Sequence, residues 1–288
     1  MNNQNIWLDM AGIPVQVSSE GALSSEPGIL AEYHISKTEP VWKLQVDLVD
    51  HQIPPEGECI YRSGNQRIYG SGDHTICYMG AVTQDPGKAY MRTVRTGTQI
   101  QAHYLRKDFP GGVTAKKLLN ALDVSHLLTV HQGILLHASF IAYQGKAILF
   151  TAPSETGKST QARLWCEEAG AELVNGDRAA VRMVDGQVLA CGIPYSGSSP
   201  VRRNVKLPLG GIVYLSQAPE NAITRLRGVR AFRAVWEGCT VNAWDRADTA
   251  MAMDTVARMT AAVPVWHLAC TPDSRAVALL KNTMEVEA

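Results

Sequence analysis

Residues 152–160, APSETGKST, constrain this chain more than any other stretch. They follow an apolar run ending at Phe150 and precede a segment of helix-forming composition, 159–168, that stops at Gly170. From Ala152 to Ser159 the segment fits the P-loop pattern at every defined position but the first, which is Ala instead of Gly. A triphosphate needs several donors converging on its oxygens. A tight loop supplies backbone N–H groups, and the unpaired amides of the next helix add more. Ser154, Glu155, Thr156, Gly157, Lys158, Ser159 and Thr160 are therefore the expected nucleotide-binding residues. Lys158 would place a point charge on the β- and γ-phosphates, and Ser159 would offer its hydroxyl to Mg²⁺. Gly157 lets the backbone approach without a Cβ in the way. Ala152 weakens the match, because Ala tolerates a positive φ poorly. Glu155 sets a carboxylate beside a polyanion; it either points away or binds a basic group or metal-bound water.

Around this loop the chain divides in two. Residues 1–110 read as short strands and turns: WKLQVDLV at 42–49 alternates as a half-buried strand does, and 58–69 holds two strands about Ser63-Gly64-Asn65. Strands are also expected at 75–80, 89–94 and 100–105. A break at 108–112, DFPGG, separates this region from 111–288. There a helical pattern runs from 113 to about 130, followed by a hairpin of two apolar runs about Gln144-Gly145-Lys146. Strands at 172–174, 180–184, 211–215 and 265–269 alternate with helices at 248–261 and 274–284. The expected fold class is α/β with a mixed sheet, preceded by a β-rich region suited to a substrate or oligomer role.

Composition narrows the partners. Lys plus Arg equals Asp plus Glu at 27 each, so nothing in the balance calls for nucleic acid or a membrane surface. No run approaches the roughly 18 apolar residues of a membrane span. The start, MNNQNIWLDM, has neither the basic nor the apolar part of a signal peptide. Six scattered cysteines without a CxxC argue against zinc and, with no secretory signal, for reduced thiols in the cytoplasm.

From Leu136 to Val181 the sequence resembles the catalytic domain of HPr serine kinase/phosphorylase and its bacterial relatives. The resemblance rests on Leu136-His137 in a strand, the hairpin at 144–146, the loop at 153–160, the helix at 161–168 and the acidic motif Asn175-Gly176-Asp177-Arg178. It continues more weakly through 192–197, 207–209 and 268–280, and does not cover the first 110 residues or so. The fold it implies is also similar to that of phosphoenolpyruvate carboxykinase. It implies a kinase-like phosphoryl transferase using ATP and Mg²⁺, with Asp177 as base and metal ligand beside Ser159, and His137 near the phosphates. HPr kinases have two adjacent Asp residues where this chain has Gly176-Asp177, and a C-terminal segment for their protein substrate that is missing here. HPr itself is therefore not implied as the acceptor.

The residues add their own readings. Asp177 follows a strand, at the end where ligands gather in α/β sheets; it also suits a plain Asn-Gly-Asp turn. His137 is either a satisfied core histidine or a partner of Asp177 or of the transferred group. Arg178 either contacts phosphate or neutralises Asp177. In the polar stretch 195–206, Tyr195, Ser196, Arg202, Arg203 and Lys206 form a candidate acceptor-binding or lid loop, whose cations would stabilise transition-state charge. Trp236 and Trp244 read as packing. The first expectation is a kinase acting on a hydroxyl of a peptide or small molecule. The second is a nucleotide-binding regulatory protein that transfers nothing. Phosphoenolpyruvate carboxykinase activity is disfavoured by length.

Overall fold

The computed structural model describes residues 3–24, 28–71, 73–80, 86–197 and 199–287. Contacts divide the chain into Met1–Asp123 and Val124–Ala288. Among the described residues the first unit holds an eight-stranded mixed sheet. Its strands are β1 (Asn3–Met10), β2 (Ile13–Glu20), β3 (Trp42–Val49), β4 (Cys59–Ser63), β5 (Gln66–Ser71), β6 (His74–Met79), β7 (Met91–Thr96) and β8 (Gln99–Leu105). They lie in the order β1-β2-β3-β8-β7-β6-β5-β4. β3 runs parallel to both β2 and β8, and the other pairs are antiparallel. Alternation sets the buried face: Ile13, Val15 and Val17 on β2, and Trp42, Leu44 and Val46 on β3, are buried while their neighbours are more exposed.

The helical pattern expected over 113–130 is broken. It yields α1 (Ala115–Leu119) and α2 (Val124–Val130), and the division between units falls at the start of the second. The cause is local. The amides of Asn120 and Ala121 take the carbonyls of Lys117 and Leu118, the tight i−3 pattern that ends a helix, and Tyr104 donates its hydroxyl to Lys117 O at 2.8 Å.

The second unit continues with β9 (Gly133–Tyr143), β10 (Lys146–Thr151), α3 (Lys158–Ala169), β11 (Glu172–Asn175), β12 (Arg178–Val184), β13 (Gln187–Cys191) and β14 (Lys206–Gln217). Next come β15 (Ala222–Leu226), α4 (Val229–Trp236), β16 (Cys239–Thr240), α5 (Arg246–Ala262), β17 (Val265–Cys270) and α6 (Ser274–Glu287). Gln144 and Gly145 join β9 to β10 with φ of 47° and 74°, the positive values that a two-residue hairpin turn requires. β9 serves two neighbourhoods: residues 133–137 pair with β12, and 138–143 pair with β10. β14 does likewise, pairing antiparallel with β13 at its start and parallel with β10 and β17 beyond. The path β10-β9-β12-β13-β14 therefore returns to β10.

β10 is buried on both faces, which is why its sequence reads as an unbroken apolar run. Ala147 and Leu149 join Val256 and Met259 of α5 in one core; Ile148 and Phe150 join Trp165 of α3 and Val277 of α6 in the other. Trp236 packs against the first of these cores and stacks on Phe232 at 5.8 Å. Asp245 caps α5 by accepting from the Ala247 and Asp248 amides. Among the described residues no helix is long and apolar enough to cross a membrane, and the six cysteines are free thiols.

Candidate functional site

Residues 152–157 leave the carboxyl end of β10 and turn directly into α3. Gly157 stands at the helix start with φ 114° and ψ 17°, a conformation that a side chain would strain. The non-glycine residue of this loop with positive φ is Glu155, at 64°, and Ala152 does not need that conformation. Glu155 is exposed, and its carbonyl accepts from Gln217 Nε2 at 3.3 Å.

Lys158 is folded back into its own loop. It is 8% exposed, and Nζ donates to Ala152 O at 3.0 Å and Pro153 O at 3.1 Å. Burial pushes its pKa below the ordinary value, opposed by the charge of Asp177. Thr156 Oγ1 donates to Pro153 O at 2.9 Å and closes the loop. The first intrahelical bond runs from the Gln161 amide to Gly157 O at 2.9 Å, which leaves the preceding amides without a partner within the helix. The Ser154 and Ser159 side chains are exposed, and Thr160 is half-buried.

A second set of residues gathers where β9 meets β12. His137 and Arg178 are register partners. Asp177 lies between them in charge: Oδ1 is 3.2 Å from His137 Nε2, and Oδ2 accepts from Arg178 Nε at 3.1 Å. Arg178 also donates to Thr240 Oγ1 at 2.6 Å. His137 is tied to the end of β10, since Thr151 Oγ1 donates to its carbonyl at 3.0 Å. Burial and the Lys158 charge lower the pKa of His137, while Asp177 and its hydrogen bond oppose them. Lys158, His137, Asp177 and Arg178 thus share one electrostatic neighbourhood.

Asn175 holds that neighbourhood in shape. It is fully buried, its Oδ1 accepts from the amides of Asp177 (2.9 Å) and Arg178 (3.0 Å), and its Nδ2 donates to Ile193 O and Tyr195 O. The loop over 195–206 lies against the acidic turn. A Cβ placed on Gly176 would sit 2.6 Å from Ser199 Cβ, and one on Gly197 would sit 2.9 Å from Asp177 Cγ. Arg202 and Arg203 of the loop bond to groups other than Asp177. Arg202 donates to Ser196 Oγ at 2.7 Å, Arg203 pairs with the exposed Glu172 at 2.6 Å, and Lys206 begins β14. Ser198 of this loop lies outside the described residues, as do Met1 and Asn2 of the N-terminal segment.

Two clefts flank the 152–157 loop. One of about 630 Å³ lies beyond Gly157, between Gln161 of α3 and the ends of β14 and β17 at Gln217 and Cys270. The other, about 510 Å³, lies between Ser154 and Tyr214. Sequence reasoning missed Gln161, Gln217 and Tyr214, because only the parallel pairing of β10, β14 and β17 brings them together. Among the described residues no three His, Cys, Asp or Glu side chains converge as a metal cage. The donors available, the Ser159 hydroxyl and the Asp177 carboxylate, suit Mg²⁺, which takes few protein oxygens and completes its shell with water and phosphate.

No protein-family model matches the chain, and no curated protein matches it. Among solved structures it is similar to the HPr(Ser) kinase/phosphatase from Coxiella burnetii, with 11% identity over 54% of this chain and 99% of that chain and a TM-score of 0.32. At that score the likeness carries no argument about chemistry. What stands firmly is a mixed α and β chain with two mixed sheets, whose strand-loop-helix corner faces two clefts.

Proposed function

We propose that this chain is a Mg-ATP-dependent kinase that transfers the γ-phosphoryl group to a hydroxyl on a peptide or small molecule. The observation that carries the reading is the corner at 152–160, with Lys158 buried in the loop and electrically coupled to Asp177 and His137. A buried ammonium resting on two carbonyls has a better partner in a phosphate, whose full charges repay its dehydration. We read residues 111–288 as a P-loop catalytic domain of the HPr-kinase-like kind, and 1–110 as a substrate-binding or oligomer-forming region. We place the chain in the cytoplasm on the scattered spacing of its six cysteines.

In this reading the loop amides and Lys158 hold the β- and γ-phosphates, and Ser159 and Asp177 hold Mg²⁺. The ion, when bound, neutralises charge on the phosphate oxygens. The acceptor oxygen bonds to the γ-phosphorus, the bond to the β-bridging oxygen breaks, and ADP leaves. Asp177 takes the acceptor's proton. Neutral His137 orients the carboxylate through Oδ1, and Arg178 fixes Oδ2. Tyr195, Ser196, Arg202, Arg203 and Lys206 belong to the segment proposed to meet the acceptor.

A regulatory protein that binds nucleotide without transfer is the second reading. Crowding at Gly176 favours it, since Ser199 occupies the room that the second carboxylate of HPr kinases would need. Labelled ATP with Asp177→Asn separates the two. The kinase reading expects ADP formation by the wild type and a loss of about 10²–10⁴-fold in the variant, with Mg-nucleotide affinity also reduced because Asp177 is read as a metal ligand. Tight nucleotide binding by a wild type that forms neither ADP nor a labelled product would establish the regulatory reading instead.

A further inference from the structure

The larger cleft beside the loop is a built site with an unmet hydrogen bond. Gln161, in the first turn of α3, is 1% exposed and lines the cleft. Its Nε2 donates to Cys270 Sγ at 3.4 Å, and its Oε1 is buried with no hydrogen-bond partner among the described residues. An amide oxygen removed from water without a donor is costly and calls for an occupant. The thiol is a weak partner. Burial raises its pKa, so it stays neutral. The terminal torsion of a glutamine is soft, and Gln161 stands on the cleft wall.

The cleft's position says which part of a ligand it would take. Lys158, His137 and Asp177 are not among its lining residues, so it is not the seat of a reacting group. It opens instead past Thr160, at the carboxyl ends of β14 and β17, where parallel sheets receive ligands. Its far wall is braced: Ala218 N donates to Cys270 O at 3.2 Å, and Thr271 N donates to Asn221 Oδ1 at 2.9 Å. Its volume, about 630 Å³, is in the range of pockets that hold small molecules.

Resting on the nucleotide reading above, we propose that this cleft seats the base of the nucleotide and that Gln161 selects a purine bearing an amino group, whose N–H donates to Oε1. Calorimetry on the full chain with magnesium and either ATP or purine riboside 5′-triphosphate, which lacks the amine, tests this directly. ATP is expected to bind about tenfold more tightly. In Gln161→Met the two affinities should converge through a loss on the ATP side. Gln161→Glu, which keeps an acceptor, should retain the preference, and it carries the test with the wild type if the Met variant fails to fold. Equal binding of both nucleotides by the wild type, or an undiminished preference in Gln161→Met, overturns the inference and leaves the phosphate loop standing. If neither nucleotide binds, both readings fall together.

Discussion

Replacing Lys158 with methionine should separate folding from ligand binding, with effects of opposite kind. The substitution keeps most of the stem and removes the ammonium. In the free protein it deletes two charge-assisted hydrogen bonds, to Ala152 O and Pro153 O, each of a class worth about 1.5–3 kcal/mol. Against them stands the dehydration of a charge that is 8% exposed, a penalty of several kcal/mol. The lowered pKa shows that burial outweighs the charge of Asp177, and the two hydrogen bonds are of a size to offset the remaining penalty. The free variant should therefore unfold within about 1 kcal/mol of the wild type, and not below it by more. Nucleotide changes the comparison. At a hundredfold excess over Kd, Mg-ATP stabilises by about 2.7 kcal/mol. At about 2–4 °C per kcal/mol for domains of this size, the wild type should rise by roughly 5–10 °C. The variant should rise by less than about 2 °C, and turnover should fall by about 10²–10³-fold, as when one preorganised donor is removed. Thermal denaturation with and without Mg-ATP reads both effects. An unchanged ligand shift would refute the phosphate role, and a free variant weakened by more than about 3 kcal/mol would make Lys158 a structural pin.

Two further outcomes are expected. Gly176→Ala should destabilise by about 1–3 kcal/mol in urea unfolding, because the new Cβ meets Ser199 Cβ at 2.6 Å in a packed turn; a neutral result would mean that the 195–206 loop yields freely. His103, His131 and His137 all have pKa values lowered from 6.5, burial being the largest cause in each. Each binds protons more weakly folded than unfolded, so stability present above about pH 6.5 should be lost as the pH falls below it. Urea midpoints at pH 7.5, 6.5 and 5.5 check this, and substituting His137 by Gln should flatten part of the slope.

What the sequence made legible was local. The run at 146–151, the turn at Gln144-Gly145 and the Gly157-Lys158-Ser159 corner announce themselves because burial on both faces and special backbone angles leave marks on neighbouring residues. Asp177 and His137 were readable as candidates, but their 3.2 Å approach comes from strand register that no short window contains. Gln161 and Cys270 stand 109 positions apart, so the cleft between them has no sequence signature. Lys206 read as loop because Lys206 and Pro208 look polar or strand-breaking; pairing with β13 overrides that preference. At the break after Leu119 the Lys117 carbonyl also accepts from Tyr104, a residue of another element that the 113–130 window does not contain.

The double membership of β9 has a mechanical consequence. The end that would grip phosphate and the end that would accept a proton are both referenced to one continuous backbone, through Thr151 on one side and Arg178 on the other. Their spacing is thus set by covalent geometry and sheet register. The segment that starts at Tyr195 is tied differently, through the Asn175 side chain, whose Nδ2 donates to Tyr195 O.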